Sequence, residues 1–148
     1  MSDFFNLQRF KVAQDVVYHK VVTELDQGRK NSHWMWYIFP QIQGLGSSST
    51  ARKFAITCRE EAVAYLSDPL LKGRLIECCR LLLAVKEKSA RDILGYPDDL
   101  KLCSSMTLFA QVAKQNENTR QTEAIFQQVL NRFYHGKPDP ITLNKLRA

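Results

Sequence analysis

Apolar residues recur along most of the chain at steps of three and four, the spacing that places side chains on one face of an α-helix. An early stripe of this kind consists of Phe10, Ala13, Val17, Val21 and Leu25. A second consists of Leu71, Leu75, Cys78, Leu82 and Val85, and a third of Ile125, Phe126, Val129, Leu130 and Phe133. Strands would show a two-residue alternation instead, so the pattern predicts a largely helical protein.

Signals for helix starts and stops divide these stripes into separate helices. Asp68-Pro69 is typical of an N-cap followed by proline at the first helical position. The strings Thr57-Cys-Arg-Glu60 and Ser89-Ala-Arg-Asp92 have the spacing of capping boxes, and Asp98 is predicted to cap the next helix. Glycines suited to C-terminal stops lie at Gly28, Gly95 and Gly136.

These signals predict one all-α domain over residues 1–148, built from about seven or eight short helices. The aromatic stretch Ser32–Phe39 is assigned to a short helix ended by Pro40, because no partner strand is visible elsewhere. A further short helix is expected to begin near Thr50. The sequence contains no internal repeat and no linker long enough to divide the chain.

Composition and charge exclude several classes of protein but do not indicate a particular reaction. The chain has 148 residues, 45% of them hydrophobic, which excludes an intrinsically disordered protein. No apolar run approaches the ~18 residues of a membrane span, and the N-terminus lacks a signal peptide, so a cytosolic location is expected. The net charge of +6 is scattered along the chain, which argues against nucleic acid as a partner. The cysteines lack CxxC spacing, and neither a metal nor another cofactor is implied.

The segment Arg29–Ser49 departs most from the bulk composition, because it holds both tryptophans, a histidine and three consecutive serines. Trp34 and Trp36 lie two positions apart, so on a helix they would point in directions roughly 200° apart. One of them can then pack in the core while the other lines a cleft and stacks on a nucleobase. The alternative is that both tryptophans fill the core.

Two polar stretches have the chemistry to recognise an anion. Gly44-Leu-Gly46-Ser-Ser-Ser49 enters a predicted helix, where backbone N–H groups from Gly46 to Ser48 would favour a phosphate. The alternative for this string is a glycine turn followed by a serine N-cap. Lys101, Ser104 and Ser105 are neighbours on another predicted helix and suit phosphate or hydroxyl recognition. The alternative there is that the hydroxyls bond to backbone carbonyls.

Acid–base chemistry has few candidates in this sequence. His33, beside the aromatic cluster, can donate or accept a proton near neutral pH, although such a histidine can also be a packing residue. Glu24 lies about one turn before the predicted stop of the first helix and is a candidate carboxylate. Carboxylates serve hydrolytic chemistry only where they converge in space, which a sequence does not reveal.

The strings Gly28–Gln41 and Gly44-Leu-Gly46 closely resemble a family catalogued as domain of unknown function 1810. Shorter matches at Arg9-Phe10, Glu61–Leu66 and Ser104–Phe109 extend the resemblance over nearly the whole chain. The resemblance implies an all-helical fold and brings no catalytic residues, because no activity is established for the family. The family is also distantly similar in layout to helical proteins that act on ADP-ribose derivatives, which is an argument by analogy.

The leading hypothesis is a small cytosolic protein with one polar pocket, built from Arg29–Ser49 and the helix Lys101–Thr107. Its ligand would be small and anionic, such as a nucleotide or an ADP-ribose derivative. The proposed ligand-binding residues are Arg29, Lys30, His33, Trp34, Trp36, Gln41, Gly46, Ser47, Ser48, Lys101, Ser104 and Ser105. An enzyme would hydrolyse this ligand or transfer a group from it, with His33 or Glu24 as acid or base. The alternative is a non-catalytic interaction or regulatory module that binds a protein partner through exposed aromatic residues.

Overall fold

Nine α-helices and one 3₁₀ helix make up the helical structure of residues 3–147, the part of the chain that the computed structural model describes. In chain order the α-helices are α1 (Gln8–Asp26), α2 (Met35–Ile38), α3 (Ser49–Lys53), α4 (Arg59–Ser67), α5 (Pro69–Ala84), α6 (Ala90–Leu94), α7 (Asp98–Lys114), α8 (Glu123–Tyr134) and α9 (Pro140–Arg147). The 3₁₀ helix, Arg120–Thr122, leads into α8. The all-α fold predicted from the sequence is confirmed.

Helix α7 forms the centre of the fold. It packs against α4, α6, α8 and α9, while α5 packs against both α1 and α8. Leu102, Met106 and Phe109 of α7 are fully buried. Because apolar or small side chains surround most of this helix, it can be covered on several sides at once. Lys101, in the first turn of α7, lines a cavity together with residues of α2.

Three of the helix signals are confirmed by the observed hydrogen bonds. The Asp68 carboxylate accepts from the N–H groups of Leu70 and Leu71 at the start of α5. Ser89 and Asp92 form a reciprocal capping box at the start of α6. The backbone after α1 turns at Gly28, whose φ of +72° lies in the left-handed region that glycine adopts without strain.

Two predicted caps are wrong. Helix α4 begins after Cys58, which makes no capping bond, and Thr57 donates its N–H and hydroxyl to Glu61 rather than to Glu60. Asp98 lies inside the first turn of α7 and does not cap it. Its carboxylate pairs with lysines instead, because one of them reaches it from a distant loop.

The length and the apolar content of a helix decide whether it can cross a membrane. None of the helices within residues 3–147 combines the length and the apolar content that crossing a bilayer requires. The four cysteines are free thiols, with Cys78 and Cys79 buried in the core.

Candidate ligand-binding clefts

The loop that follows α1 is shaped by the buried carboxylate of Glu24. Its Oε1 accepts hydrogen bonds from the N–H of Asn31 at 2.7 Å, the N–H of Ser32 at 3.0 Å and the indole Nε1–H of Trp34 at 2.9 Å. Its Oε2 accepts from the Ser32 hydroxyl at 2.6 Å. Burial acts to raise the pKa of this carboxyl, but the hydrogen bonds outweigh it and lower the pKa from 4.5 to about 2. Glu24 is therefore an ionised anchor for the loop.

The two tryptophans of this loop and of α2 have different environments. Trp34 is fully buried and packs against Phe39, with ring centroids 6.4 Å apart. Trp36 is half-buried, and the Lys101 Nζ lies 5.4 Å from its ring centroid. Of the two arrangements considered from the sequence, the structure has the divided one. Trp36 is thus available to a ligand, whereas Trp34 is not.

Trp36 lines a cavity of about 190 Å³, which we call the small cleft. Its lining includes Gln41 and Gly46 from the predicted segment, Arg52 from α3 and Lys101 from α7. Both charged side chains of this lining are cations, and no acidic side chain among residues 3–147 contributes to it. The Arg52 guanidinium makes no hydrogen bond or ion pair with the described part of the chain.

The floor of the small cleft is fixed by backbone pairing. A parallel bridge joins Ile42 to Ile56, with the Ile56 N–H donating to the Gln41 carbonyl at 2.8 Å. Gly46 passes so close to α3 that an added Cβ would lie 2.7 Å from the Ala51 Cβ. A larger residue at Gly46 would therefore displace α3, which carries Arg52.

Trp36 also lines a second cavity of about 360 Å³, the wide cleft. Lys30 and His33 line it from the loop after α1, and Tyr96 and Asp98 line it from the loop and helix start opposite. Asp98 lies 2.9 Å from the Lys30 Nζ and 3.5 Å from the Lys101 Nζ. Its carboxylate therefore offsets much of the positive charge on this side.

Several of the residues predicted for the site lie outside both clefts. Trp34 is buried in the core. Arg29, Ser47 and Ser48 are exposed, but none of them lines either cavity. The Ser48 hydroxyl accepts from the Ala51 N–H and is the N-cap of α3, as the alternative interpretation held.

The serines of α7 also point away from the clefts. Ser104 donates from its hydroxyl toward the Leu100 carbonyl at 3.3 Å and the Asp139 carboxylate at 3.0 Å. Ser105 is fully buried, and its hydroxyl has no partner among residues 3–147. Both lie one turn beyond Lys101, where α7 has already entered the core.

Sequence reasoning left out two residues that shape the clefts. Only the fold shows that Arg52 of α3 and Lys101 of α7 line the same cavity. Tyr96 was not singled out, although it lies in the surface loop between a glycine stop and a helix start, where binding residues are often found. That position in a loop was the available signal.

Comparison with known proteins supports the fold and assigns no reaction or ligand to the chain. The model of a family described as a protein of unknown function, DUF1810, matches residues 4–146. The chain is similar to the conserved hypothetical protein Rv1873 from Mycobacterium tuberculosis, known from a crystal structure, with 46% identity, 99% of each chain covered and a TM-score of 0.92. No curated protein matches the sequence. The chain therefore belongs to the DUF1810 family of proteins of unknown function.

Proposed function

We propose that this protein binds a small anionic ligand in the small cleft, and that the ligand is a nucleotide or an ADP-ribose derivative. One observation carries the proposal: Arg52 and Lys101 line the same cavity, which no described acidic side chain lines. The half-buried indole of Trp36 forms a wall of that cavity.

Electrostatics favours an anion in this position. A concave site lined by one sign of charge raises the local concentration of the opposite ion, and the chain as a whole carries +6. Arg52 has no partner to give up within residues 3–147, and a charged hydrogen bond of this kind contributes about 1.5–3 kcal/mol. A guanidinium also matches the fork geometry of a phosphate.

The lining of the small cleft also supports a nucleotide as the ligand. Trp36 provides an aromatic surface, and stacking of a base on such a ring contributes about 1–3 kcal/mol. The side chains of Gln41 and Gln43 border the same cavity and can bond to hydroxyl or phosphate oxygens. A cytosolic location, where nucleotides are abundant, stays a prediction.

A catalytic role is a separate proposal, because it requires a residue that can act as acid or base on the ligand. Glu24 is engaged by four hydrogen bonds within its own loop and lines neither cleft, so the geometry favours His33 as the acid or base. His33 is exposed at the wide cleft. Hydrolysis or group transfer at a ligand that reaches His33 is the reaction class that follows.

Calorimetric titration and thermal shift with pyrophosphate, AMP, ADP and ADP-ribose test this proposal. A ligand present at 100 times its Kd should stabilise the protein by about 2.7 kcal/mol. Arg52→Ala and Lys101→Ala should each weaken binding about tenfold, which corresponds to about 1.4 kcal/mol. Lys53→Ala is the matched control, because Lys53 follows Arg52 on α3 but does not line the small cleft.

Binding that survives both substitutions would contradict the proposal, as would the absence of binding by all four compounds. The second outcome would favour the alternative of a non-catalytic module for a protein partner. The melting temperature of each unliganded variant shows whether its fold is intact.

Asp98→Asn should strengthen the binding of pyrophosphate by a factor of about three to ten. Asp98 lies 3.5 Å from the Lys101 Nζ and competes with an incoming anion for that charge. The same substitution should lower stability, since the Lys30 side chain is only 7% exposed and loses its counterion. Calorimetry and urea denaturation measure the two effects, and unchanged binding would show that Lys101 does not contact the ligand.

A further inference from the structure

We infer that the ligand straddles Trp36, with its phosphate end in the small cleft and a planar, uncharged end in the wide cleft. The inference rests on the proposed function and assigns the class of ligand more closely. It describes a phosphorylated nucleoside rather than a free phosphate or an acidic peptide.

The first support is the shared wall of the two cavities. Met35, Trp36 and Lys101 line both the small cleft and the wide cleft. Ligand sites for small molecules usually measure about 300–1,000 Å³. The small cleft, at about 190 Å³, is below that range, so a nucleotide bound there must extend beyond it. The adjoining wide cleft of about 360 Å³ provides the space.

The second support is the distribution of charge, which orients the ligand. The small cleft has two cations and no described acid in its lining. The wide cleft is also lined by two cations, Lys30 and Lys101, but Asp98 lines it as well and lies 2.9 Å from the Lys30 Nζ and 3.5 Å from the Lys101 Nζ. A phosphate in the wide cleft would face this carboxylate, whereas a sugar hydroxyl could donate a hydrogen bond to it. The anionic end therefore belongs beside Arg52.

The third support is the chemistry of the wide cleft walls. Tyr96 is 66% exposed there, and His33 and Trp36 lie in the same lining. Aromatic and imidazole rings of this kind provide stacking surfaces for a planar ring. Asn31 and Ser32 supply polar groups at the same edge. Together these groups suit the base and ribose of a nucleoside.

Calorimetric titration of three probes separates the two ends: pyrophosphate, adenosine and ADP. Arg52→Ala marks the small cleft, Tyr96→Ala marks the wide cleft, and Phe4→Ala serves as control because Phe4 is an exposed aromatic residue outside both. Arg52→Ala should weaken pyrophosphate and ADP about tenfold, and Tyr96→Ala should weaken adenosine and ADP about fivefold. Tyr96→Ala should not change pyrophosphate binding, and native protein should bind ADP more tightly than either part.

The outcomes distinguish this inference from the proposed function. If ADP binds no more tightly than pyrophosphate and Tyr96→Ala leaves both unchanged, the planar end is not in the wide cleft, although the anion site stands. If Tyr96→Ala weakens pyrophosphate while Arg52→Ala does not, the orientation is reversed and the inference is wrong. If none of the probes binds, the proposed function fails and the inference fails with it.

Discussion

Replacing Arg9 by alanine is expected to lower the free energy of unfolding by about 3–5 kcal/mol, the cost of breaking a buried ion pair. The Arg9 guanidinium lies 2.8 Å from the Glu61 carboxylate, whose side chain is only 1% exposed. It also donates to the backbone carbonyls of Phe5, Asn6, Lys53 and Ala55. The substitution therefore leaves a buried carboxylate without its cation and several carbonyls without their donor.

Urea denaturation at pH 7 measures this loss. Arg91→Ala is the matched control, because its guanidinium is 64% exposed and lies 3.7 Å from Asp99. Because Arg91 is in solvent and its contact with the 15% exposed Asp99 is long, this pair should contribute about 1 kcal/mol, less than the Arg9–Glu61 pair. An Arg9→Ala variant as stable as the Arg91→Ala variant would show that solvent takes over the role of the guanidinium.

Glu24→Gln is expected to destabilise the protein by an amount that depends on pH. The pKa of Glu24 is lowered from 4.5 to about 2 in the folded protein. A group with a lowered folded pKa contributes stability above its unfolded pKa and loses it as the pH falls through the folded value. The contribution is thus complete above about pH 4.5 and lost near pH 2. Its size at neutral pH is about 3 kcal/mol.

Urea denaturation of both proteins between pH 7 and pH 2.5 follows this difference. The gap between native protein and Glu24→Gln should be constant near neutral pH and should narrow as the solution becomes more acidic. Glu117→Gln, which changes an exposed carboxylate in a loop, should leave the unfolding free energy nearly unchanged. A gap that widened in acid would mean that Glu24 is protonated in the folded protein.

Much of the fold follows from short-range signals in the sequence. The cap at Asp68, the capping box at Ser89 and the turn at Gly28 depend on residues a few positions apart, and all three are confirmed. The error at α4 arose because Glu60 has the capping-box spacing from Thr57, whereas the adjacent Glu61, which lacks it, accepts the Thr57 hydrogen bonds. Arg9 resolves the choice, since it pairs with Glu61 from 52 positions away along the chain.

The candidate site could be predicted only in outline. The sequence predicted that the segment after α1 meets the start of the helix carrying Lys101, and the structure places Lys101 over Trp36. It did not reveal which tryptophan is exposed, because a two-residue offset gives opposite faces without saying which is inside. Ser104 and Ser105 were assigned from their spacing to Lys101, but burial of α7 decides their surroundings. Binding of a ligand at these residues stays a prediction.

Helix α1 sets the distance between the two ends of the segment that surrounds Trp36. Glu24 holds the start of that chain at residues 31–34, and Arg9 holds its end at residues 53–55. The two anchors are separated by about 22 Å of continuous helix, at about 1.5 Å per residue. Because an α-helix of this length is stiff, the distance between the two anchored ends of the segment is fixed when the protein folds. On the proposed function, the ligand therefore meets preformed walls beside Trp36, and binding should cost little conformational entropy of the protein.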